Sequence, residues 1–266
     1  MGSKFYFLTL INRTSDEVKK VEWFTVFSPS NKIATANHFK QPLKMLVDSE
    51  LLKPILHSSA FPDLLRELNL LWEDEQRRRR EFYEWITPSI KAEWIEGEIM
   101  LHSPVSWEHN IISKNALKAI DIYVISTEEG GFVGIEKILT RFTRNDYEPD
   151  ICYFSPEKVA LFIRGQNVFP VPNFVIEVIS RSTEKNDRNL KFKDYERHGV
   201  GEYWLIEPTT KIIEQYVLEN GKYELKFSGH EGIIQSHAIK GLTIPIEVLF
   251  DDEANIKFVR EVMKKA

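Results

Sequence analysis

Two carboxylates stand in this chain where acids are awkward. Glu177 lies in the middle of Pro172-Asn173-Phe174-Val175-Ile176-Glu177-Val178-Ile179-Ser180, an apolar, β-branched run that reads as a buried strand. Asp150 follows Pro149 and opens a second apolar stretch, Ile151-Cys152-Tyr153-Phe154. An isolated buried carboxylate costs several kcal/mol, by an order-of-magnitude estimate, unless a cation or hydrogen-bond donors meet it. If the two strands are neighbours, the acids converge, and a divalent cation removes their repulsion by binding both through oxygen. Magnesium suits such a site, because it keeps several waters and completes its shell from substrate phosphate. There it polarises a phosphoryl oxygen and lowers the pKa of a bound water.

The protein also carries a cation of its own. Asp187, Lys191 and Tyr195 recur every four residues in Asp187–His198 and share one face of the helix expected there. Packed beside Glu177, that face would bring the Lys191 amine into the cleft, with Asp187 and Tyr195 to orient it. The other reading of Glu177 and Lys191 is a structural ion pair that locks helix to strand. Lys193 points elsewhere on the same helix. Arg181, Lys185, Arg188 and Lys193 make this neighbourhood basic and place a phosphate backbone here. Glu98, after the turn glycine Gly97, reads as a solvated strand residue or a supporting acid. His109 reads as a core or surface histidine or a functional one.

Elements must position these groups. Lys91–Ile95 and Glu98–Leu101 read as two short strands around Glu96-Gly97, and Trp107–Tyr123 as a helix capped by Ser106. Phe132–Phe142 reads as one long strand, Asp150–Phe154 as another, and Glu202–Ile206 as a third. Asn220-Gly221 joins Ile212–Val217 to Tyr223–Phe227 in a hairpin. Isoleucines 233, 234, 244 and 246 mark further short strands, and Asp252–Lys265 a terminal helix. The order predicts an α/β (α+β) domain over residues 81–266, with a mixed sheet flanked by helices. Residues 1–80 read as an N-terminal extension, with strands at Lys4–Ile11 and Val21–Phe27 and a helix over Phe61–Trp85. Arg77-Arg78-Arg79-Arg80 falls in that helix; such a basic run could touch phosphates, but the acids Glu73, Asp74, Glu75, Glu81 and Glu84 flank it and favour a solvated face.

The 266 residues include 42% hydrophobic and 28% charged ones, enough for a packed core. A net charge of −5 argues against a surface basic all over. The single cysteine, Cys152, excludes an intrachain disulfide or a cysteine zinc site and fits a reducing cytoplasm. No apolar run is long enough to span a bilayer.

The ordered set Glu96-Gly97-Glu98, His109, Pro149-Asp150, Pro172–Ser180, Ser182-Thr183, Asp187, Lys191, Tyr195 and Gly199-Val200-Gly201-Glu202-Tyr203-Trp204 resembles the Uma family of restriction endonucleases, in the PD-(D/E)xK nuclease superfamily. The resemblance covers roughly residues 82–250. It implies a restriction-endonuclease-like core and a magnesium-dependent phosphodiesterase site, with manganese as a substitute. It carries Asp150 and Glu177 onto the metal-binding acids. Ile179 occupies the place of the superfamily's usual lysine, and the helix lysine matching Lys191 is its replacement in this family.

The expectation is therefore a cytoplasmic endonuclease acting on DNA, with Asp150, Glu177 and Lys191 catalytic. The resemblance also suggests a homodimer, and the extension could contact a protein partner. The alternative is a catalytically silent nuclease fold acting as a nucleic-acid-binding or dimerising scaffold.

Overall fold

In a computed structural model of the chain, which describes residues 52–127 and 130–265, the apolar run around Glu177 becomes a central strand of a six-stranded sheet. The helices are α1 (Lys53–Leu56), α2 (Phe61–Trp85), α3 (Trp107–Ser126), α4 (Pro156–Val159), α5 (Phe192–Arg197), α6 (Glu247–Phe250) and α7 (Asp252–Lys265). A π-helical stretch, Asn186–Lys191, runs directly into α5. The strands are β1 (Ala92–Ile95), β2 (Glu98–Leu101), β3 (Phe132–Ile135), β4 (Leu139–Arg141), β5 (Asp146–Tyr147), β6 (Ile151–Phe154), β7 (Val168–Phe169), β8 (Phe174–Val178), β9 (Glu202–Ile206), β10 (Ile213–Glu219), β11 (Lys222–Gly229), β12 (Ile233–Gln235) and β13 (Thr243–Pro245).

The chain divides into two compact units, Met1–Pro62 and Asp63–Ala266. Of the first, the described part holds the helical turn α1. The strands expected over Lys4–Ile11 and Val21–Phe27 lie outside the described residues.

In the second unit the large sheet runs β11-β10-β9-β8-β6-β3. Its one parallel contact is β8 with β9; the other neighbours are antiparallel. A smaller sheet runs β2-β1-β5-β4-β7, and β12 pairs with β13. Period-two alternation sorts the large sheet's side chains between two cores. Ile151, Tyr153, Phe174, Ile176, Val178, Trp204 and Ile206 pack with Ile112, Ala116 and Ile120 of α3 and Leu249 of α6. On the other face Cys152, Val175, Tyr203 and Leu205 pack with Tyr147 and Tyr195. Glu177 has the parity of Val175 and Asp150 that of Cys152, so both acids belong to this second face.

Two sequence expectations are corrected. Phe132–Phe142 is two strands in different sheets, because Glu136 turns the chain with a φ of 52°. Arg79 is not on a solvated face: it is 1% exposed and grips Asp146 through Nε (2.7 Å) and Nη2 (2.6 Å). It also donates to the carbonyls of Phe142, Thr143 and Asn145, while Tyr83 donates to the same carboxylate. Glu75, Arg79 and Phe82 form the buried stripe of α2, at i, i+4 and i+7. Leu64, Leu65, Leu68, Leu71 and Trp72, which recur at helical spacing, are exposed.

Candidate active site

One step beyond the last β6–β8 ladder pair, Ile151 with Ile176, come Asp150 and Glu177. The strand register therefore delivers the two acids side by side, and the Val178 N–H donates to Asp150 Oδ2 at 2.9 Å. They line a cleft of about 520 Å³, together with Glu93, Glu148, Asp187 and Lys191. Asp187 and Lys191 come from the π-helical stretch, a form often found at functional sites.

Lys191 Nζ lies 3.0 Å from Glu177 Oε1, 3.0 Å from Glu93 Oε1 and 3.4 Å from Asp187 Oδ1. Tyr195, one α-turn further on, donates its hydroxyl to Glu177 Oε1 at 2.8 Å. Asp150 is held by His109 Nε2 at 3.0 Å and by Lys91 Nζ at 3.4 Å. Ser106 caps α3 by accepting the His109 N–H, which fixes where His109 starts.

Burial pushes Glu177 up to about 8, against the pull of Lys191 and with the charges of Asp187, Asp150 and Glu93 adding to it. Burial likewise pushes Glu148 up to about 7. Burial would raise Asp150 too, but the His109 hydrogen bond and charge, Lys91 and the Val178 N–H outweigh it and hold Asp150 at about 2. Glu93 is held at about 2, where Lys191 and His102 overcome burial. Lys191 is kept well above the ordinary lysine value: its burial is outweighed by Glu177, Glu93 and Asp187. It is an ammonium, a donor and not a base.

The donor set can be tested against a divalent cation. Among the described residues, no three His, Cys, Asp or Glu side chains are arranged to cage a metal ion, so a closed protein-only site does not fit. Magnesium asks for less, one or two carboxylates with water and phosphate for the rest. Asp150 and Glu177 meet that demand with hard oxygen donors. The contacts of Glu177 fall on Oε1, and Asp187 Oδ1 is buried without accepting a hydrogen bond. The five buried carboxylates Glu93, Glu148, Asp150, Glu177 and Asp187 outnumber the lysines Lys91 and Lys191. The residues fit a hard divalent cation.

Not every expected residue is here. Glu98 is exposed on edge strand β2 and does not line the cleft. Of the basic residues, Arg181 lines the cleft and is exposed. Lys185 and Lys193 are exposed outside it. Arg188 is committed to Glu214 (2.7 Å) and Glu184 (3.3 Å). Sequence reasoning missed Glu93, Glu148, Lys91 and His102, all on the cleft. The signal for Glu93 was an acid between Ala92 and Trp94-Ile95; for Glu148, its place directly before Pro149-Asp150.

The profile of Uma2, described as a putative restriction endonuclease, matches residues 79–247, more than half of the chain. The chain belongs to the Uma2 family. The Uma2 match begins at Arg79, the anchor of α2, and takes in every residue of the cleft. Over 167 residues the chain is 29% identical to an uncharacterized protein of Synechocystis sp., across 60% of this chain and 76% of that one. It also resembles, at a TM-score of 0.55 and 20% identity, the crystal structure of a protein from Anabaena variabilis described as a putative nuclease belonging to DUF820. That likeness covers 68% of this chain and 97% of the other, and it shows a shared fold. The Uma2 fold here is the expected restriction-endonuclease-like one, a mixed sheet flanked by helices. Among the described residues no helix is long and apolar enough to cross a membrane.

Proposed function

We propose that this protein is a metal-dependent endonuclease that hydrolyses phosphodiester bonds in DNA. One observation carries the reading: Asp150 and Glu177 flank the same step of the sheet, with an ammonium on Glu177, at the floor of a cleft. Family membership supports nuclease chemistry of this class.

Asp150 and Glu177 would hold magnesium, or manganese in its place, and the bound ion would supply charge neutralisation and an activated water. The other roles belong to the chain itself. His109 donates its Nε2–H to Asp150 Oδ2 and fixes that carboxylate's rotamer. Tyr195 does the same for Glu177. Lys191, already protonated, donates hydrogen bonds to the attacking water or to the phosphate as its charge grows, and takes up no proton. Asp187 holds Lys191 from its own helix face. Arg181, exposed at the cleft, is the group placed to meet a neighbouring phosphate.

The test is nicking of supercoiled plasmid in magnesium, in manganese and in EDTA, with Asp150→Asn and Glu177→Gln alongside. Nicking in either metal, lost in EDTA and in both variants, is the expected result. Equal nicking by the variants would remove the reading, and a wild type inert on all DNA would return the fold to a scaffold role.

A further inference from the structure

Glu93 has no part in the roles just given, yet it touches Lys191 as closely as Glu177 does. It is 2% exposed and sits on β1, in the smaller sheet, whereas Glu177 sits in the larger one. Its Oε1 is occupied by protein groups, and its Oε2 faces His102. Oε1 is 3.0 Å from Lys191 Nζ and accepts the Glu148 N–H at 3.0 Å. Oε2 is 3.3 Å from His102 Nε2. Glu148 in turn accepts the Ala92 N–H at 3.1 Å, so β1 is stitched to the segment leading into Asp150. The cleft thus carries an acid whose surroundings tie it to the lysine and to the backbone rather than leaving it open.

That arrangement answers a conflict within the site. Lys191 and a divalent cation both need the charge of Glu177, and two cations on one carboxylate repel. Once Glu177 turns to the ion, Lys191 keeps Asp187, at 3.4 Å and on its own helix. Glu93, on an independent sheet strand, is the partner that the cation need not touch. We propose that Glu93 is a positioning residue that keeps the Lys191 ammonium in the cleft while Glu177 binds the cation, and that Glu93 is not a ligand of that cation. This rests on the metal-dependent reading above.

The test is manganese binding by calorimetry on the full chain, for wild type, Glu93→Gln, Lys191→Met and the double variant, each first checked for a cooperative melt. Glu93→Gln should weaken binding about tenfold, because an unpinned Lys191 falls back on Glu177. Lys191→Met, which removes the competitor, should bind at least as tightly as wild type. In that background Glu93→Gln should change the Kd less than about threefold. The same tenfold loss in both backgrounds would mean that Glu93 acts on the cation itself and would overturn the proposal. A wild type that binds no manganese would instead overturn the metal reading and this inference with it. Should Glu93→Gln fail to fold, a crystal structure of the wild type with calcium decides. Lys191 Nζ within hydrogen-bond reach of Glu93, with Glu177 on the ion, supports the inference; a Glu93 oxygen on the ion overturns it.

Discussion

Lys191 Nζ and Glu177 Oε1 stand 3.0 Å apart, both side chains almost wholly enclosed, joining the π-helical stretch to the central strand. The contact alone fits a structural ion pair as well as a reaction centre. What favours the reaction-centre reading is Asp150, opposite Glu177 at the same step of the sheet, since a pair built only to lock helix to strand has no need of a second acid beside it. Lys191→Met should therefore cut turnover by about 10²–10³-fold, the usual loss when one donor to a developing charge is removed. Nicking rates at saturating magnesium measure this. A rate within about twofold of wild type would leave Lys191 a counter-ion and nothing more.

The carboxylates predict a pH dependence of stability. Glu177 and Glu148 sit at about 8 and about 7 in the fold, above the ordinary 4.5. Groups raised in this way contribute stability that is complete below 4.5 and is lost as pH rises through 7 to 8. Glu93 and Asp150, held at about 2, work in the opposite sense and lose their contribution as pH falls towards 2. In EDTA the melting temperature should thus fall from about pH 5 to about pH 9, and magnesium at the alkaline end should restore it. Glu177→Gln should flatten that decline. Melts flat across the range in EDTA would contradict the charge balance described for the cleft.

Arg79 should matter to stability far more than its neighbours in the arginine run. Arg79→Met leaves Asp146, fully buried, with the Tyr83 hydroxyl and the more distant charge of Arg141 to face it. Breaking a buried pair in this way costs about 3–5 kcal/mol. Arg77, on the solvent side of α2 between Asp74 and Glu81, should be replaceable by alanine without a change in the urea midpoint. Equal effects of the two substitutions would mean that α2 is not anchored through Arg79.

Another buried acid, Glu202, has a structural part. Glu202 accepts Trp204 Nε1 and Gln215 Nε2 on Oε1, and Ser236 Oγ with the His237 and Ala238 N–H groups on Oε2. It ties β9 to the segment after β12. Glu202→Gln would turn an amide towards one of these donor sets. The expected loss is about 3 kcal/mol or more in urea unfolding, with metal binding unchanged in the folded protein. Loss of metal affinity in a folded Glu202→Gln would show that the acid reaches the cleft after all.

Much of this site could be read from residues whose surroundings in the sequence contradict their polarity. Glu177 is an acid inside an apolar strand, and Asp187, Lys191 and Tyr195 keep a helical interval that survives the π-helical phase shift. Other features could not be read. Glu93 sits in a four-residue strand, too short for alternation to show which face it takes. Arg79 looked solvated because acids flank it in sequence, while its partner Asp146 lies 67 positions away. The turn at Glu136 was hidden by apolar residues on both sides, since a positive φ leaves no mark in hydrophobicity. Local polarity found the acids; the pairs between distant elements came only with the fold.

The central claim is that Asp150 and Glu177 jointly hold a divalent cation. Its most direct test is calorimetric titration of magnesium into wild type, Asp150→Asn and Glu177→Gln under one buffer condition. The account predicts one binding event in the wild type, weakened about a hundredfold or more by each substitution, since each removes a charged ligand. Unchanged affinity in either folded variant, or no binding to the wild type, would contradict it.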